Sequence, residues 1–207
     1  MHHVPDHTES LTEAGRRFED FLRGKSSDRV FYCRLANHTD PVPFCPCHVA
    51  GRGFASTILW QLRYVVAACA LLLPWNSAKV FLLRMLGAKI GRNVCISPRV
   101  WIDPLFPGLL TIEDNVLVGV GARIAMHEFG IDHFRAGRVV IREGANIGGF
   151  SLIAPGVEIG KKASVAAAAV AAKDVPAGAT VIGNPGRIVK RRVETPSGSD
   201  STCAARG

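Results

Sequence analysis

The chain has 207 residues, enough for one domain with appendages and a substantial core. Its 48% hydrophobic and 20% charged content excludes a disordered chain, and its formal net charge of +8 favours anionic partners: phosphates or an anionic membrane face. It has no zinc finger, RNA-binding signature or base-reading basic helix, so nucleic acid is not an expected partner. Six irregularly spaced cysteines and the lack of an opening signal peptide predict a cytoplasmic setting.

Residues 1–56 read as a polar N-terminal extension, partly disordered. Within it Leu11, Ala14, Phe18, Phe21 and Leu22 fall at helical spacing. Pro41, Pro43 and Pro46 predict a loop further on. Cys33, His38, Cys45, Cys47 and His48 invite a zinc hypothesis. However, CPCH has one residue between its cysteines and no second pair at a defined spacing, so no metal is expected.

Residues 57–87 read as apolar helical segments. The run from Thr57 to Trp75 contains Arg63 and ends just past Pro74, which makes it marginal as a spanning helix. Trp60, Tyr64 and Trp75 are residue types found at membrane interfaces. A second run carries Val80, Phe81, Leu83 and Leu86 beside Lys79 and Arg84. Two arrangements fit equally well. One is a helical pair lying peripherally on the inner face of a membrane; the other is a cap packed on its own domain or on a sister subunit.

Residues 88–192 carry a period of six. The series is Ile90, Ile96, Ile102; Ile112, Val118, Ile124; Ile141, Ile147, Ile153; Ile159, Val165, Ala171, and eleven of the twelve are Ile or Val. The position two before each is apolar in all cases but Ser151. A helix would rotate such a series off any single face, because six is not a multiple of 3.6. A short strand plus a turn, repeated on the three sides of a prism, keeps every aliphatic pointing inward. The predicted fold is therefore mainly β: a parallel β-helix of about four triangular coils, with N-terminal helical segments and a short C-terminal basic segment. The register slips twice. Ile102 to Ile112 runs four residues over the period and Ile124 to Ile141 eleven over, which predicts two loops extruded from corners of the prism. Residues 193–207 read as a disordered tail.

The repeat, a histidine at the base of an extruded loop, and the ending KDVPAGATVIGNPGRIVK resemble the hexapeptide-repeat acyltransferases, in particular the maltose and galactoside acetyltransferase branch. The similarity runs from about Leu83 to Arg192. It implies a left-handed β-helix, a homotrimer with active sites between neighbouring prisms, and acyl transfer from acetyl-CoA to a hydroxyl or amine. His127 matches the family's catalytic histidine in placement, and an imidazole with a pKa near ~6.5 suits a general base at neutral pH. Asp103 and Glu128 are both candidates to orient it. Asp103, Ser97, Glu128 and His133 are the candidates for the acceptor side, with Ser97 standing where the family has an acceptor-contacting Asn. Gly149 and Ala167 match the backbone contacts to the pantetheine arm, and Lys173 and Arg187 the residues that meet the CoA phosphates. A backbone N–H near Gly148 or Gly149 is the expected oxyanion donor.

Three other readings remain open on the sequence. A γ-carbonic-anhydrase-like metal lyase needs three histidines from the repeat, which holds only His127 and His133. A non-catalytic β-helix scaffold would need none. Acyl transfer to a lipid or glycan carrier at a membrane would differ in the acceptor only.

Overall fold

The computed structural model describes residues 11–34, 54–130 and 133–190. The proline loop, His38, Cys45, Cys47, His48 and the tail 193–207 lie outside the described residues.

Three parallel sheets form the sides of a prism. The first side stacks β2 (Lys89–Ile90), β5 (Leu110–Ile112), β10 (Val139–Ile141) and β13 (Glu158–Ile159). The second stacks β3 (Cys95–Ile96), β6 (Leu117–Val118), β11 (Asn146–Ile147), β14 (Ser164–Val165) and β16 (Ala179–Ile182), closed by the antiparallel β17 (Arg187–Lys190). The third stacks β4 (Trp101–Ile102), β7 (Arg123–Ile124), β12 (Leu152–Ile153) and β15 (Val170–Ala171).

The register explains the sixfold series. Ile90, Ile112, Ile141 and Ile159 pair directly along one side; Ile96, Val118, Ile147 and Val165 along the next; Ile102, Ile124, Ile153 and Ala171 along the third. All twelve are buried. The aliphatics thus form three columns in the prism axis, where each excludes water from the one above. The four predicted coils are present, and a fifth begins where Val175 bridges to Ile159 and β16 pairs with β14.

Helices close the first coil. α2 (Phe54–Leu72) and α3 (Asn76–Met85) pack on each other, and α3 lies against β2 and β3. The polar groups of α3 meet the open end of the coil. The Asn76 side-chain amide donates to the Val94 carbonyl at 2.8 Å and its oxygen accepts the Ile96 N–H at 2.8 Å. Arg84 donates to the Ile90 and Gly91 carbonyls at 2.9 and 2.6 Å. Lys79 is fully buried, and its ammonium donates to the carbonyls of Ile96 at 2.6 Å and Ser97 at 3.3 Å. Burial holds the Lys79 pKa below its ordinary value. On this side α3 is a cap on its own domain, and its lysine serves chain-end carbonyls that the first coil cannot satisfy by itself.

Both register slips are visible. The first, after Ile102, contains a 3₁₀ turn at Pro107–Leu109. The second is a hairpin of β8 (His127–Phe129) and β9 (His133–Gly137). The N-terminal residues contribute more than a polar extension. α1 (Leu11–Leu22) occupies the stretch with helical spacing, and β1 (Val30–Arg34) pairs antiparallel with β9 to make a three-stranded sheet. Phe18 is the hub beneath it, with Phe31, Phe106 and Phe134 at ring-centroid distances of 5.0, 5.5 and 5.4 Å. Both extrusions and the N-terminal module therefore share one aromatic core. Outside it, Arg29 and Arg142 bind the Glu158 carboxylate at 3.3 and 2.8 Å. Arg142 also bonds Glu113 at 2.7 Å, which holds the Glu113 carboxyl below the usual range.

Candidate active site

β4 lies directly on β7, so Asp103, one residue past Ile102, stands beside the chain leaving Ile124. The hairpin begins three residues after Ile124, at His127. The two side chains meet: Asp103 Oδ2 bonds His127 Nδ1. Asp103 is completely buried, and its carboxylate also accepts the N–H groups of Leu105 at 3.0 Å and Met126 at 3.3 Å. A carboxylate offers acceptors alone, so the hydrogen shared with the imidazole comes from the ring. The proton between the pair then resides on Nδ1, leaving Nε2 as an acceptor. The imidazole is 15% exposed, flanked edge-on by Phe106 and Phe129 at 5.5 and 5.3 Å. It is thus fixed on one side and open on the other.

Of the two candidates to orient His127, the geometry selects Asp103. Glu128 turns instead to Arg135 at 3.4 Å, with His133 Nε2 at 3.9 Å. Arg135 also donates to the Pro155 carbonyl at 2.6 Å, which pins the hairpin to the third coil. His133 stacks on Tyr32 at 5.5 Å and 16°. Tyr32 and Arg135 had no signal in the repeat. β1 lies outside the period of six, and only the alternation of buried and part-exposed residues in β9 marks Arg135's strand.

The remaining candidates divide between two corners of the prism. Lys173 follows β15, so it lies at the same corner as His127 and two coils further along, roughly 10 Å at ~4.8 Å per coil. Ser97, Gly149 and Ala167 lie at the preceding corner, between the second and third sides, in the first, third and fourth coils. Arg187 is exposed on β17. One chain therefore does not bring Gly149 and Ala167 to His127; a full side of the prism separates them.

Glycines let successive coils approach closely at the Gly149 corner. A Cβ on Gly119 would stand 2.6 Å from the Gly149 nitrogen, and one on Gly148 would stand 2.5 Å from the Ala167 nitrogen. At Gly119 and Gly148 the coils stack too closely for a side chain, while Phe150 and Ala167 of the same corner are exposed. The Gly148 N–H is already committed to the Val165 carbonyl at 2.7 Å, so of the two candidate oxyanion donors only Gly149 is left with an N–H that bonds no described residue. The Ala167 N–H is likewise unengaged among the described residues. Among the described residues no three His, Cys, Asp or Glu side chains gather as a metal site.

No protein-family model matches the chain. It is 36% identical over 133 residues to the Bacillus subtilis (strain 168) protein named "Putative acetyltransferase YvoF", spanning 64% of this chain and 77% of that one. It is 31% identical over 171 residues to the Escherichia coli (strain K12) protein named "Putative colanic acid biosynthesis acetyltransferase WcaF", spanning 70% of this chain and 91% of that one. The chain belongs to the hexapeptide-repeat acetyltransferase family. A solved hexapeptide-repeat acetyltransferase from Vibrio cholerae O1 biovar eltor, complexed with acetyl coenzyme A, superposes with a TM-score of 0.54 at 22% identity, covering 67% of this chain and 90% of that one. That likeness concerns the fold, the left-handed β-helix of the family.

Proposed function

We propose that this acetyltransferase moves the acetyl group of acetyl-CoA directly to a hydroxyl or amine of a small molecule or glycan, with His127 as general base. The observation that carries the reading is the buried Asp103 on His127 Nδ1, with the opposite edge of the ring open. Nε2 takes the acceptor proton as the acceptor oxygen or nitrogen bonds to the thioester carbonyl carbon. The carbonyl electrons move onto oxygen, and an N–H such as that of Gly149 stabilises the charge there. Collapse of the intermediate breaks the C–S bond, and the imidazolium returns its proton to the departing CoA sulfur. Asp103 offsets the positive charge on the ring in between.

The division of the candidates over two corners supports a site shared between subunits. The His127–Lys173 corner of one chain would face the Gly149–Ala167 corner of the next, so that His127 lies opposite an open main-chain strip. In that arrangement Ser97 stands at the acceptor end, by the first coil. Gly149 and Ala167 run along the pantetheine arm, and Lys173 and Arg187 offer charge to the CoA phosphates. We take the assembly to be a homotrimer, since a head-to-tail contact of this kind closes as a ring. Phe150, 66% exposed at the Gly149 corner beside exposed Val120, Leu152 and Leu117, gives that contact an apolar ridge. Phe150→Asp should convert the trimer to monomers in light scattering, because each contact would bury an unpaired carboxylate. A variant that stays trimeric would remove the ridge from the interface. We place the enzyme in the cytoplasm, where its co-substrate is held.

The reading is tested by following CoA thiol release from acetyl-CoA over a panel of sugars, amino sugars and amino acids. An acceptor-dependent rate supports it. No release with any acceptor, together with no binding of acetyl-CoA, would favour a scaffold.

A further inference from the structure

The outward side of the helical cap is apolar in a regular way. On α2, Ile58, Leu62, Val65, Cys69 and Leu72 recur at spacings of four and three, and all five are exposed; Leu72 is 82% exposed. Spacings of four and three align side chains along one helix face. This stripe faces away from the prism, while Ala67 and Leu71 are buried on the opposite side. The turn and α3 continue it with Trp75, Phe81 and Met85, which are 68%, 61% and 70% exposed. So many exposed apolar residues on two packed helices, the longer about 28 Å at ~1.5 Å per residue, make an apolar surface that needs a partner.

The helical cap and the first coil carry charge of one sign in their own sequence. From Phe54 to Ile102 the sequence contains no Asp or Glu, but it contains Arg63, Lys79, Arg84, Lys89, Arg92 and Arg99. Lys79 is buried on α3 and Arg92 pairs with Asp114 of the second coil at 3.2 Å, which leaves Arg63, Arg84, Lys89 and Arg99 exposed around the cap and the rim of the first coil. A second copy meeting this patch with its own would oppose cations to cations. An anionic bilayer instead offers acyl chains to the stripe, phosphates to the rim, and an interfacial layer suited to Trp75 and Tyr64. No helix among the described residues is long and apolar enough to cross a membrane, which fits helices that lie along the surface.

We infer that α2 and α3 dock the enzyme on an anionic lipid surface, with the first coil of the prism towards the membrane. The docking rests on the patch and its charge alone. If the site is the one proposed above, docking also points its acceptor end, at Ser97, towards the bilayer and its CoA end, at Lys173, towards solution.

The test is flotation of the full chain with vesicles of phosphatidylcholine alone and with vesicles of phosphatidylcholine and phosphatidylglycerol. Partition onto the anionic vesicles should be at least about tenfold stronger and should weaken with added salt. The double variant Leu72→Glu, Phe81→Glu changes two exposed positions. It should lose flotation while keeping the wild-type mass in light scattering, thermal midpoint and thiol release towards a soluble acceptor. Absence of wild-type flotation on anionic vesicles, or flotation unchanged in the variant, would overturn the inference. A variant whose mass falls would assign the patch to subunit contact.

Discussion

Replacing His127 with alanine is expected to lower acetyl-CoA-dependent thiol release by about 10²–10⁴-fold, the range typical of a lost general base. The fold should survive the change. The ring is held by Asp103 and touched by Phe106, Phe129 and Phe134, but the buried columns of the prism do not include it. Light scattering should report the same mass and calorimetry the same affinity for CoA, because the residues proposed to hold CoA are elsewhere. The loss should fall on kcat. Near-normal turnover would remove His127 from the chemistry and send the search for a base to Glu128 and His133.

Asp103→Asn is expected to cost a similar ~10²–10⁴-fold in kcat through a different route. The native carboxylate accepts three hydrogens: the His127 Nδ1–H and the N–H groups of Leu105 and Met126. A carboxamide of the same shape has one acceptor oxygen and one donor nitrogen. If the oxygen stays on Leu105, the NH₂ faces His127 and drives the ring proton onto Nε2, the atom that must accept. If the amide turns over, its NH₂ opposes the Leu105 N–H. Asp103 acts through His127, so the KM for acetyl-CoA should hold while kcat falls. A parallel collapse of thermal midpoint and oligomer would mean that Asp103 serves only to hold its turn.

The prism could be read from the sequence because its rule is local and repeated. One aliphatic every six residues places each side chain on the same column, and pairs such as Ile102 on Ile124 then follow without further information. That same count puts Asp103 next to the root of the second extrusion, which is why both members of the dyad were within reach. It could not decide between Asp103 and Glu128, since the direction of the hairpin after His127 depends on contacts far away in sequence. The aromatic core shows why. Phe106 and Phe134 sit in the two extrusions, where the period fails, and their partners Phe18 and Phe31 lie in a segment whose composition is polar. Nothing in the spacing joins these four rings. The partners of Lys79 are out of view for a related reason. Its position beside Val80 and Leu83 fits a membrane-facing helix and a packed cap equally, and its partners are the carbonyls of Ile96 and Ser97, which every sequence possesses. The bonds Gly148 makes were equally out of view, so the narrowing of the oxyanion donor to Gly149 required the stacking of coils.

The proposal that one site is shared between two chains is tested by mixing two variants, each inactive alone. Ala167→Trp adds bulk at an exposed corner position and should block the pantetheine strip, whereas His127→Ala removes the base. Co-refolded in equal amounts, the two should recover about a quarter of wild-type thiol release. Random pairing joins an intact His127 corner to an intact Ala167 corner at roughly one contact in four. A mixture no more active than its components would contradict the account, because a site complete within each chain has no intact copy in any mixed assembly.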